Sequence, residues 1–379
     1  MTEQKNNKIS IYLHIPFCKS KCGYCSFASG IYPESVIKHY FDLLPKEFDL
    51  FINDSSESLE VPTLYIGGGT PSAVPPYILS NIIAKLLSMI HNKPSEITIE
   101  ANPGDIDHSF IKTCEEIGVT RISLGVQSFN DDVLKFLGRR HSASQAIDAF
   151  NLLRDSGFFN ISLDLIHGVP TFGPDRWLID LKTILDLSPE HISLYALSIE
   201  EGTPFHENKI YEKIDNDHVA TEYHLAVKML RDAGYNRYEI SNFSKPGYEC
   251  AHNLNYWHMG NYIGFGVSAA SFIDGVYFER FHDVNKYIEC LEKGISTIES
   301  LEEFHGRDRW VNAMIMGMRL EDGIHIHEFN QRFGIDISKV VKDKWRNYID
   351  DSHVIMDDER IRFGDKGFYV SNSFLSMLI

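Results

Sequence analysis

Cys18-Lys-Ser-Lys-Cys-Gly-Tyr-Cys25 is the stretch that decides the fold, and it directly follows an apolar run at residues 9–16. It holds half of the six cysteines of the chain. Gly23 lets so short a loop curl until three thiolates point at one centre. Three thiolates leave one metal position open, as an iron–sulfur cluster permits. Idle reduced cysteines, or a zinc site completed by a distant His, stay open as alternatives.

The composition is typical of a globular protein, with 379 residues, 43% hydrophobic and 23% charged. This length predicts one large or two modest domains. A net charge of −17 argues against a nucleic-acid surface, which needs clustered Lys and Arg. We find no apolar run of about 18 residues and no export leader, so we expect no membrane span. Clustered free thiols then favour a reducing cytoplasm.

A recurring unit of a short β-rich run followed by a helical segment fills the first two hundred residues. The runs are Ile9–His14, Thr63–Ile66, Glu96–Glu100, Arg121–Gly125, Ile161–Ile166 and His191–Leu197. The helical segments between them include Tyr77–Ile90, Ser109–Ile117, Ser142–Ser156 and Asp175–Leu187. This order predicts a parallel sheet with helical crossovers. We expect Pro45 to interrupt the helix of the long first connection, and residues 53–60 to form a polar loop.

Polar or glycine-rich segments lie at the carboxyl ends of these runs, where a β/α barrel carries its active site. They are the cysteine loop, Gly67-Gly-Gly-Thr-Pro71, Glu100-Ala-Asn102, Gly125-Val-Gln-Ser128, Asp164 and Ser198-Ile-Glu-Glu201. A glycine run alone is a weak sign of a ligand, since it also makes an ordinary tight turn. Six strands that deliver such groups to one rim predict a functional site there.

The cysteine spacing, with Tyr24 before the last Cys and a glycine run downstream, resembles the radical S-adenosylmethionine (SAM) superfamily. Further motifs at residues 12–18, 67–71, 125–129, 138–141 and 164–170 resemble its branch of oxygen-independent coproporphyrinogen dehydrogenases and haem chaperones. The resemblance covers nearly the whole chain. It implies an α/β fold with a partial (β/α)6 barrel, and a [4Fe-4S] cluster on Cys18, Cys22 and Cys25 with SAM on the open iron.

The same resemblance assigns residues to the SAM site, and their chemistry suits a zwitterionic amino acid. The glycines let backbone groups of Gly68, Gly69 and Thr70 come close, and the Arg139 guanidinium can form a fork with a carboxylate. Arg140 is the neighbouring alternative to Arg139. The remaining assignments are Glu100 for a hydroxyl or the ammonium, Gln127 and Asp164 for the ribose or methionyl groups, Tyr24 for the adenine, and Tyr12 from the first motif.

Beyond residue 200 a long helix is predicted at Asn216–Ala233, and an aromatic segment follows at Cys250-Ala-His-Asn-Leu-Asn-Tyr-Trp-His-Met-Gly260. The pattern His252-Asn-x-x-Tyr-Trp resembles the haem-binding signature of the chaperones, which implies His252 as an axial haem ligand. An isolated His is more often a satisfied core residue. His258, Met259 and Cys250 are rival ligands. The family usually has a basic residue where this chain has Ala251.

The last segment resembles the small C-terminal domain of the same branch. Helical runs at Arg309–Leu320, Ile326–Phe333 and Ile337–Tyr348, with a hairpin at residues 354–363, predict a winged-helix-like α+β shape. Its acidic residues make it a lid or docking surface rather than a DNA reader. We expect three parts: a partial barrel at residues 1–235, a haem-motif segment closing the barrel at 236–304, and the C-terminal domain at 305–379.

Two features separate the chaperones from the dehydrogenases in this resemblance. Phe27 occupies the position of the dehydrogenases' fourth Cys, and only eight residues precede Ile9. The resemblance therefore implies a haem chaperone that passes haem to an acceptor haemoprotein rather than an enzyme. The alternatives are oxidative decarboxylation of coproporphyrinogen III, a radical enzyme acting on RNA, and a structural zinc protein. Whether SAM is cleaved, and whether the chain forms a homodimer, stay open.

Overall fold

The computed structural model of the chain describes residues 8–54 and 59–378. Six parallel strands alternate with helices in its first half, as the sequence predicts. The strands are β1 (Ser10–Ile15), β2 (Thr63–Gly68), β3 (Glu96–Ala101), β4 (Arg121–Gln127), β5 (Ile161–His167) and β6 (His191–Ala196). The helices are α1 (Glu34–Asp54), α2 (Pro76–Ser88), α3 (His108–Ile117), α4 (Asp131–Leu137), α5 (Ala143–Asp155) and α6 (Pro174–Leu187). The six strands pair with one another in sequence order, so the predicted partial (β/α)6 barrel is confirmed.

Alternate residues of these strands divide the sheet into an apolar outer face and a polar inner face. Leu13, Ile66 and Ile99 belong to the outer set, and they pack with the helices into one hydrophobic core. The inner set pairs Tyr65 with Thr98 across β2 and β3, and Thr98 in turn with Arg121 on β4. Most parallel strands are apolar on both faces. The polar interior therefore indicates that the barrel contains a functional site and not only a hydrophobic core.

Short elements extend the sheet at both of its edges. After α7 (Pro204–Glu207) and α8 (Asn216–Asp232), strands β7 (Asn236–Arg237) and β8 (Asn242–Ser244) lie beyond β6. Strands β9 (Tyr262–Phe265), β10 (Ala270–Ile273), β11 (Val276–Arg280) and β12 (Ile298–Glu303) extend the other edge beyond β1, with α9 (Ala251–Trp257) before them and α10 (Val284–Lys293) within them. Among the residues described, the two outermost strands β12 and β7 do not pair, so the sheet is open.

The C-terminal segment has its own hydrophobic core around Trp345 and a small antiparallel sheet. Its elements are α11 (Gly306–Gly317), β13 (Ile324–His325), α12 (Ile326–Phe333), α13 (Ile337–Asp350), β14 (Val354–Met356), β15 (Arg360–Phe363), α14 (Asp365–Tyr369) and α15 (Ser371–Leu375). The three helices and the hairpin occur as predicted. The predicted division at residues 235 and 304 stays a prediction, since β7 to β12 belong to the same sheet as the barrel.

Pro45 does not end its helix, contrary to our expectation. α1 runs through it from Glu34 to Asp54. Phe41, Leu44 and Phe48 on either side are buried in the main core, and this packing outweighs the hydrogen bond that proline removes. Residues 55–58 of the predicted polar loop lie outside the described residues.

A buried carboxylate on α1 ties the added strands to the barrel. Glu47 is 3% exposed and accepts hydrogen bonds from Arg280, from the Tyr287 hydroxyl at 2.7 Å, from Thr297 at 2.7 Å and from the Gly266 amide at 2.9 Å. The Arg280 side chain is itself buried. Every oxygen of this carboxylate is thus satisfied, which a buried charge requires.

We expect Glu47→Ala to destabilise the fold by about 3–5 kcal/mol, because it leaves the Arg280 charge buried without its partner. Thermal unfolding monitored by circular dichroism measures the change. Asp49→Ala on the same helix is the matched control, since Asp49 makes only a surface ion pair with Lys85 at 3.6 Å and should cost less than about 1 kcal/mol. Equal melting temperatures for the two variants would contradict this account.

Candidate metal and cofactor site

The three predicted cluster cysteines lie in one loop between β1 and α1. Cys18, Cys22 and Cys25 are half-buried and form no disulfide. The loop is closed at its base by two backbone hydrogen bonds of 2.9 Å, from the Cys18 amide to the Gly30 carbonyl and from the Gly30 amide to the Pro16 carbonyl. The fold therefore holds three reduced thiols at the carboxyl end of the first strand.

The glycine run after β2 lies directly against this loop. The Gly69 amide donates to the Ile15 carbonyl at 2.8 Å, and the Thr70 amide donates to the Phe17 carbonyl at 2.9 Å. A Cβ atom on Gly69 would lie 2.9 Å from both carbonyl oxygens and 3.0 Å from the Cys18 sulfur. The Thr70 hydroxyl donates to that sulfur at 3.5 Å. Only glycine allows the two backbones to approach this closely.

Arg139, and not Arg140, faces the cysteine loop. Its Nη1 donates to the Cys22 sulfur at 3.4 Å, and its Nη2 donates to the Gly125 carbonyl at 2.7 Å. Arg140 turns away and donates to Asp105 Oδ2 at 2.8 Å. Sequence alone left both arginines open, because they are adjacent and helical phase does not separate them.

Gly125 leaves space for two of the predicted side chains. A Cβ atom there would lie 3.0 Å from Gln127 Nε2 and 3.3 Å from Arg139 Nη2. Gln127 adopts a φ of 71°, in the left-handed region that is rare for residues other than glycine. The absence of a side chain at Gly125 therefore lets the Gln127 amide and the Arg139 guanidinium lie close together at the end of β4.

Glu100, near the end of β3, is a half-buried carboxylate that holds the glycine run. It accepts from the Tyr65 hydroxyl at 2.9 Å and from the Gly68 amide at 3.1 Å. Burial raises the pKa of Glu100 to about 7, with a further contribution from the nearby Asp164. A carboxyl group that titrates near neutral pH is typical of a functional site.

Asp164 lies on β5, between the levels of Glu100 on β3 and Gln127 on β4. It accepts from the Ser123 hydroxyl at 3.2 Å and from the Ser162 hydroxyl at 3.3 Å, and burial raises its pKa. Arg121 is 2% exposed and lies near enough to lower the pKa values of both Asp164 and Glu100. Arg121 was not among the predicted site residues, although a charged residue inside a predicted parallel strand was a signal for it.

Tyr12 and Tyr24 occupy different places in the site. The Tyr12 hydroxyl is 3.1 Å from His14 Nδ1, and His14 Nε2 is 3.0 Å from the Ala28 carbonyl, so this pair braces the cysteine loop. Burial lowers the pKa of His14 to about 4. Tyr24 packs with its ring centroid 6.3 Å from that of Phe205, and burial raises its pKa. His14 lies within the motif at residues 12–18 but was not among the predicted site residues.

His252 lies inside the protein, with both ring nitrogens in hydrogen bonds. It is 1% exposed, with Nδ1 at 2.7 Å from the Thr63 hydroxyl and Nε2 at 2.8 Å from the Tyr256 hydroxyl. Burial lowers its pKa to about 3, so the imidazole is neutral. Glu96 accepts from the amides of Ala251 and His252 at 2.9 and 3.1 Å. These contacts fix α9 on the polar inner face of the barrel.

A cavity of about 1190 Å³ connects the cysteine loop, the rim and α9. Its lining is rich in aromatic side chains, and it includes Phe27 of the cysteine loop and Glu100 of the rim. From α9 and the turn after it come Asn253, Tyr256, Trp257 and Met259. The volume exceeds that of a pocket for an ordinary small ligand. His252 itself lies behind Tyr256, and the exposed His258 is not among the lining residues.

In the part of the chain that the structure describes, no three side chains of His, Cys, Asp or Glu are grouped to hold one metal ion. A cube-shaped cluster makes a different demand, because each thiolate binds its own iron atom. The three free thiols lie on one closed loop, Gly69 leaves space beside the Cys18 sulfur, and the Arg139 cation lies beside the Cys22 sulfur. This arrangement fits such a cluster. Also within the described residues, no helix combines the length and apolarity that a membrane crossing needs.

Parallel strands that carry a three-cysteine loop and a glycine run at one rim define a radical SAM protein, which implies a [4Fe-4S] cluster and SAM. Residues 12–184 match the model of the radical SAM superfamily, and residues 304–370 match that of the HemN C-terminal domain. The chain belongs to the HemW family of this superfamily. Its relatives include the Heme chaperone HemW of Lactococcus lactis, 33% identical over 98% of this chain and 96% of that protein.

Other members and a solved structure extend these comparisons. The Heme chaperone HemW of Escherichia coli is 38% identical over 80% of this chain and 83% of that protein. That of Bacillus subtilis is 34% identical over 86% and 87%. The solved coproporphyrinogen III oxidase (HemN) of Escherichia coli superposes with a TM-score of 0.84, covering 98% of this chain and 90% of that one at 21% identity. At that identity the likeness establishes the fold.

We expect Gly69→Ala to prevent cluster assembly while the protein stays folded, because the added methyl group would meet two carbonyl oxygens and the Cys18 sulfur. Iron and sulfide analysis after anaerobic reconstitution measures the effect, against roughly four of each in the unchanged protein. Gly173→Ala is the matched control, since a Cβ there meets nothing within 4 Å. Cys22→Ala should lose the cluster as well. A full complement of iron and sulfide in Gly69→Ala would contradict the tight fit.

Proposed function

We propose that this protein is a haem chaperone, which binds haem in the aromatic cavity and transfers it to an acceptor haemoprotein. The observation that carries the proposal is the cavity itself. Its volume of about 1190 Å³ and its lining by Tyr256, Trp257 and Met259 suit a large flat ligand with an apolar face. Relatives that span nearly the whole chain and bear the name Heme chaperone support it.

His252 is our proposed axial ligand, and its surroundings define what ligation requires. Its Nε2 contacts the Tyr256 hydroxyl, and Tyr256 lies between the imidazole and the cavity. Iron binding at Nε2 therefore requires that Tyr256 move, whereas the Thr63 contact to Nδ1 can stay and fix the tautomer, as partners of metal-bound histidines do. Met259 already lines the cavity and is the main rival; Cys250 is fully buried.

The cluster and SAM support the transfer in this proposal. When bound, they supply one-electron chemistry, which belongs to the cofactors rather than to the fold. The thiolates of Cys18, Cys22 and Cys25 would hold the cluster. The backbone of Gly68, Gly69 and Thr70, with Arg139, Gln127 and Glu100, would hold the methionyl group, and Tyr24, Tyr12 and Asp164 complete the proposed set.

Cavity and rim are continuous, because Gly68 and Glu100 line both. Haem and SAM would thus occupy neighbouring parts of one space, which supports a direct influence of one on the other. A cytoplasmic location, an acceptor haemoprotein and a homodimer complete the proposal. The alternative is oxidative decarboxylation of coproporphyrinogen III, and an anaerobic assay with that substrate separates the two functions.

We expect the anaerobically reconstituted protein to bind one haem per chain. His252→Ala should lower the affinity for haem by at least about tenfold, because loss of a residue that only supports a metal ligand already has an effect of that size. Absorbance titration measures both the affinity and the ligand-dependent spectrum. The spectrum of the variant should lose the features of a His ligand.

Two further variants make the result specific. Thr63→Val removes the hydrogen bond to Nδ1 but keeps the imidazole, so its haem spectrum should still show His ligation. Met259→Leu should leave the spectrum unchanged. If Met259→Leu changes the spectrum and His252→Ala does not, Met259 is the ligand, and the assignment of His252 is wrong.

We also expect the affinity for SAM to rise with pH up to about 7 and to level off above it. Burial raises the pKa of Glu100 to about 7, and only the ionised carboxylate pairs with the methionyl ammonium. Binding therefore releases a proton below that pH, and the neighbouring Asp164 and Arg121 shift the midpoint in opposite directions.

Calorimetric titration of SAM from about pH 5.5 to about pH 8.5 tests this expectation. Glu100→Gln should flatten the dependence, since the amide cannot titrate. Glu115→Gln, an exposed acid on α3, is the control and should keep it. The same pH profile in Glu100→Gln and in the unchanged protein would rule out Glu100 as the partner of the ammonium.

A further inference from the structure

Two hydrogen-bond donors without partners lie side by side in the wall of the cavity. Arg319 Nε and Trp257 Nε1 are both buried, and neither has an acceptor among the described residues. The Arg319 guanidinium carbon is 5.6 Å from the centroid of the Trp257 ring, and both residues line the cavity. Buried N–H groups in proteins nearly always have an acceptor, so this pair indicates one that the protein itself does not supply.

The cavity wall also carries Glu100, Glu239 and Glu302, so it is the local charge at Arg319 that points to the kind of acceptor. Arg319 is the single Lys or Arg among the described residues that line the cavity, and no carboxylate in the described part of the chain forms an ion pair with Arg319. Glu239 is the acid that acts on it, yet burial raises the pKa of Glu239 to about 7, and its Oε1 accepts from the Ser241 amide at 3.2 Å. The positive charge is therefore only partly balanced near neutral pH.

We propose that Arg319 and Trp257 together bind a carboxylate of the ligand, namely a propionate of the porphyrin. This inference rests on the proposed function and adds the group that orients the ligand. A guanidinium and an indole N–H can donate to the two oxygens of one carboxylate, and hydrogen bonds to a charged acceptor are about twice as strong as neutral ones. Trp257 adds its ring face to the same contact.

The position of the pair also fixes the direction in which the ligand lies. Arg319 follows α11 at the C-terminal part of the chain, whereas Phe27 and Gly68 mark the end of the cavity beside the cysteine loop. A propionate held at Arg319 leaves the rest of the macrocycle between α9 and the antiparallel strands β9 to β11, where Tyr262, Phe272 and Tyr277 line the cavity. The C-terminal segment thus contributes the recognition of the ligand's charge.

The test compares haem with haem dimethyl ester, in which both propionates are neutral. Absorbance titrations use the full, anaerobically reconstituted chain with Arg319→Gln and Trp257→Phe. We expect each variant to bind haem roughly tenfold more weakly, as the loss of a charged hydrogen bond predicts, and to bind the ester as the unchanged protein does. Trp257→Phe keeps an aromatic ring, so it isolates the N–H group and tests the inference even if Arg319→Gln folds poorly.

Arg346→Gln, at an exposed position on α13, is the matched control and should leave both affinities unchanged. SAM affinity should also be unchanged in the two test variants, which separates a propionate site from one for the methionyl carboxylate. Unchanged haem affinity in both test variants, or an equal loss for haem and ester, would overturn the inference alone. Failure of the unchanged protein to bind haem would overturn the proposed function, and this inference with it.

Discussion

The close backbone contact between the glycine run and the start of the cysteine loop is the constraint on which the site depends. The amides of Gly69 and Thr70 donate to the carbonyls of Ile15 and Phe17, so the ends of β1 and β2 are joined beyond their last paired residues. Glu100 then holds Gly68 from β3. Each strand end is positioned by its neighbour, and the geometry of the cysteine loop follows from the sheet rather than from the loop sequence alone.

A second set of polar contacts links the interior of the barrel to the wall of the cavity. Glu96 on β3 accepts from two amides in the first turn of α9, where a helix has donors without internal partners. His252 then joins β2 to α9 through Thr63 and Tyr256. The aromatic side chains that face the cavity are therefore fixed to the same strands that carry the cysteines and the rim, which gives the two parts of the site one rigid support.

The barrel was predictable because apolar runs and helical spacing alternate six times, and the rim residues followed from the rule that strand ends meet at one edge. Contacts between segments that are distant in the chain could not be predicted from the sequence. Arg139 and Arg140 are adjacent, and only the fold directs one to Cys22 and the other to Asp105. Pro45 shows the converse limit, since tertiary packing overrode a local preference. The meeting of Trp257 with Arg319 depends on the C-terminal segment folding back onto α9.

If the proposed function holds, this acidic protein binds an anionic ligand, and the attraction between them has to act at short range. The net charge of −17 opposes the approach of a dicarboxylate, but salt screens that repulsion beyond about 8 Å at physiological ionic strength. Within the cavity, the half-buried Arg319 guanidinium lies next to aromatic walls, where charge interactions are stronger than at the open surface. Binding is then decided by short-range contacts, and the surrounding negative charge favours departure once those contacts break. That balance agrees with the proposed transfer of the ligand to an acceptor, and less well with permanent retention.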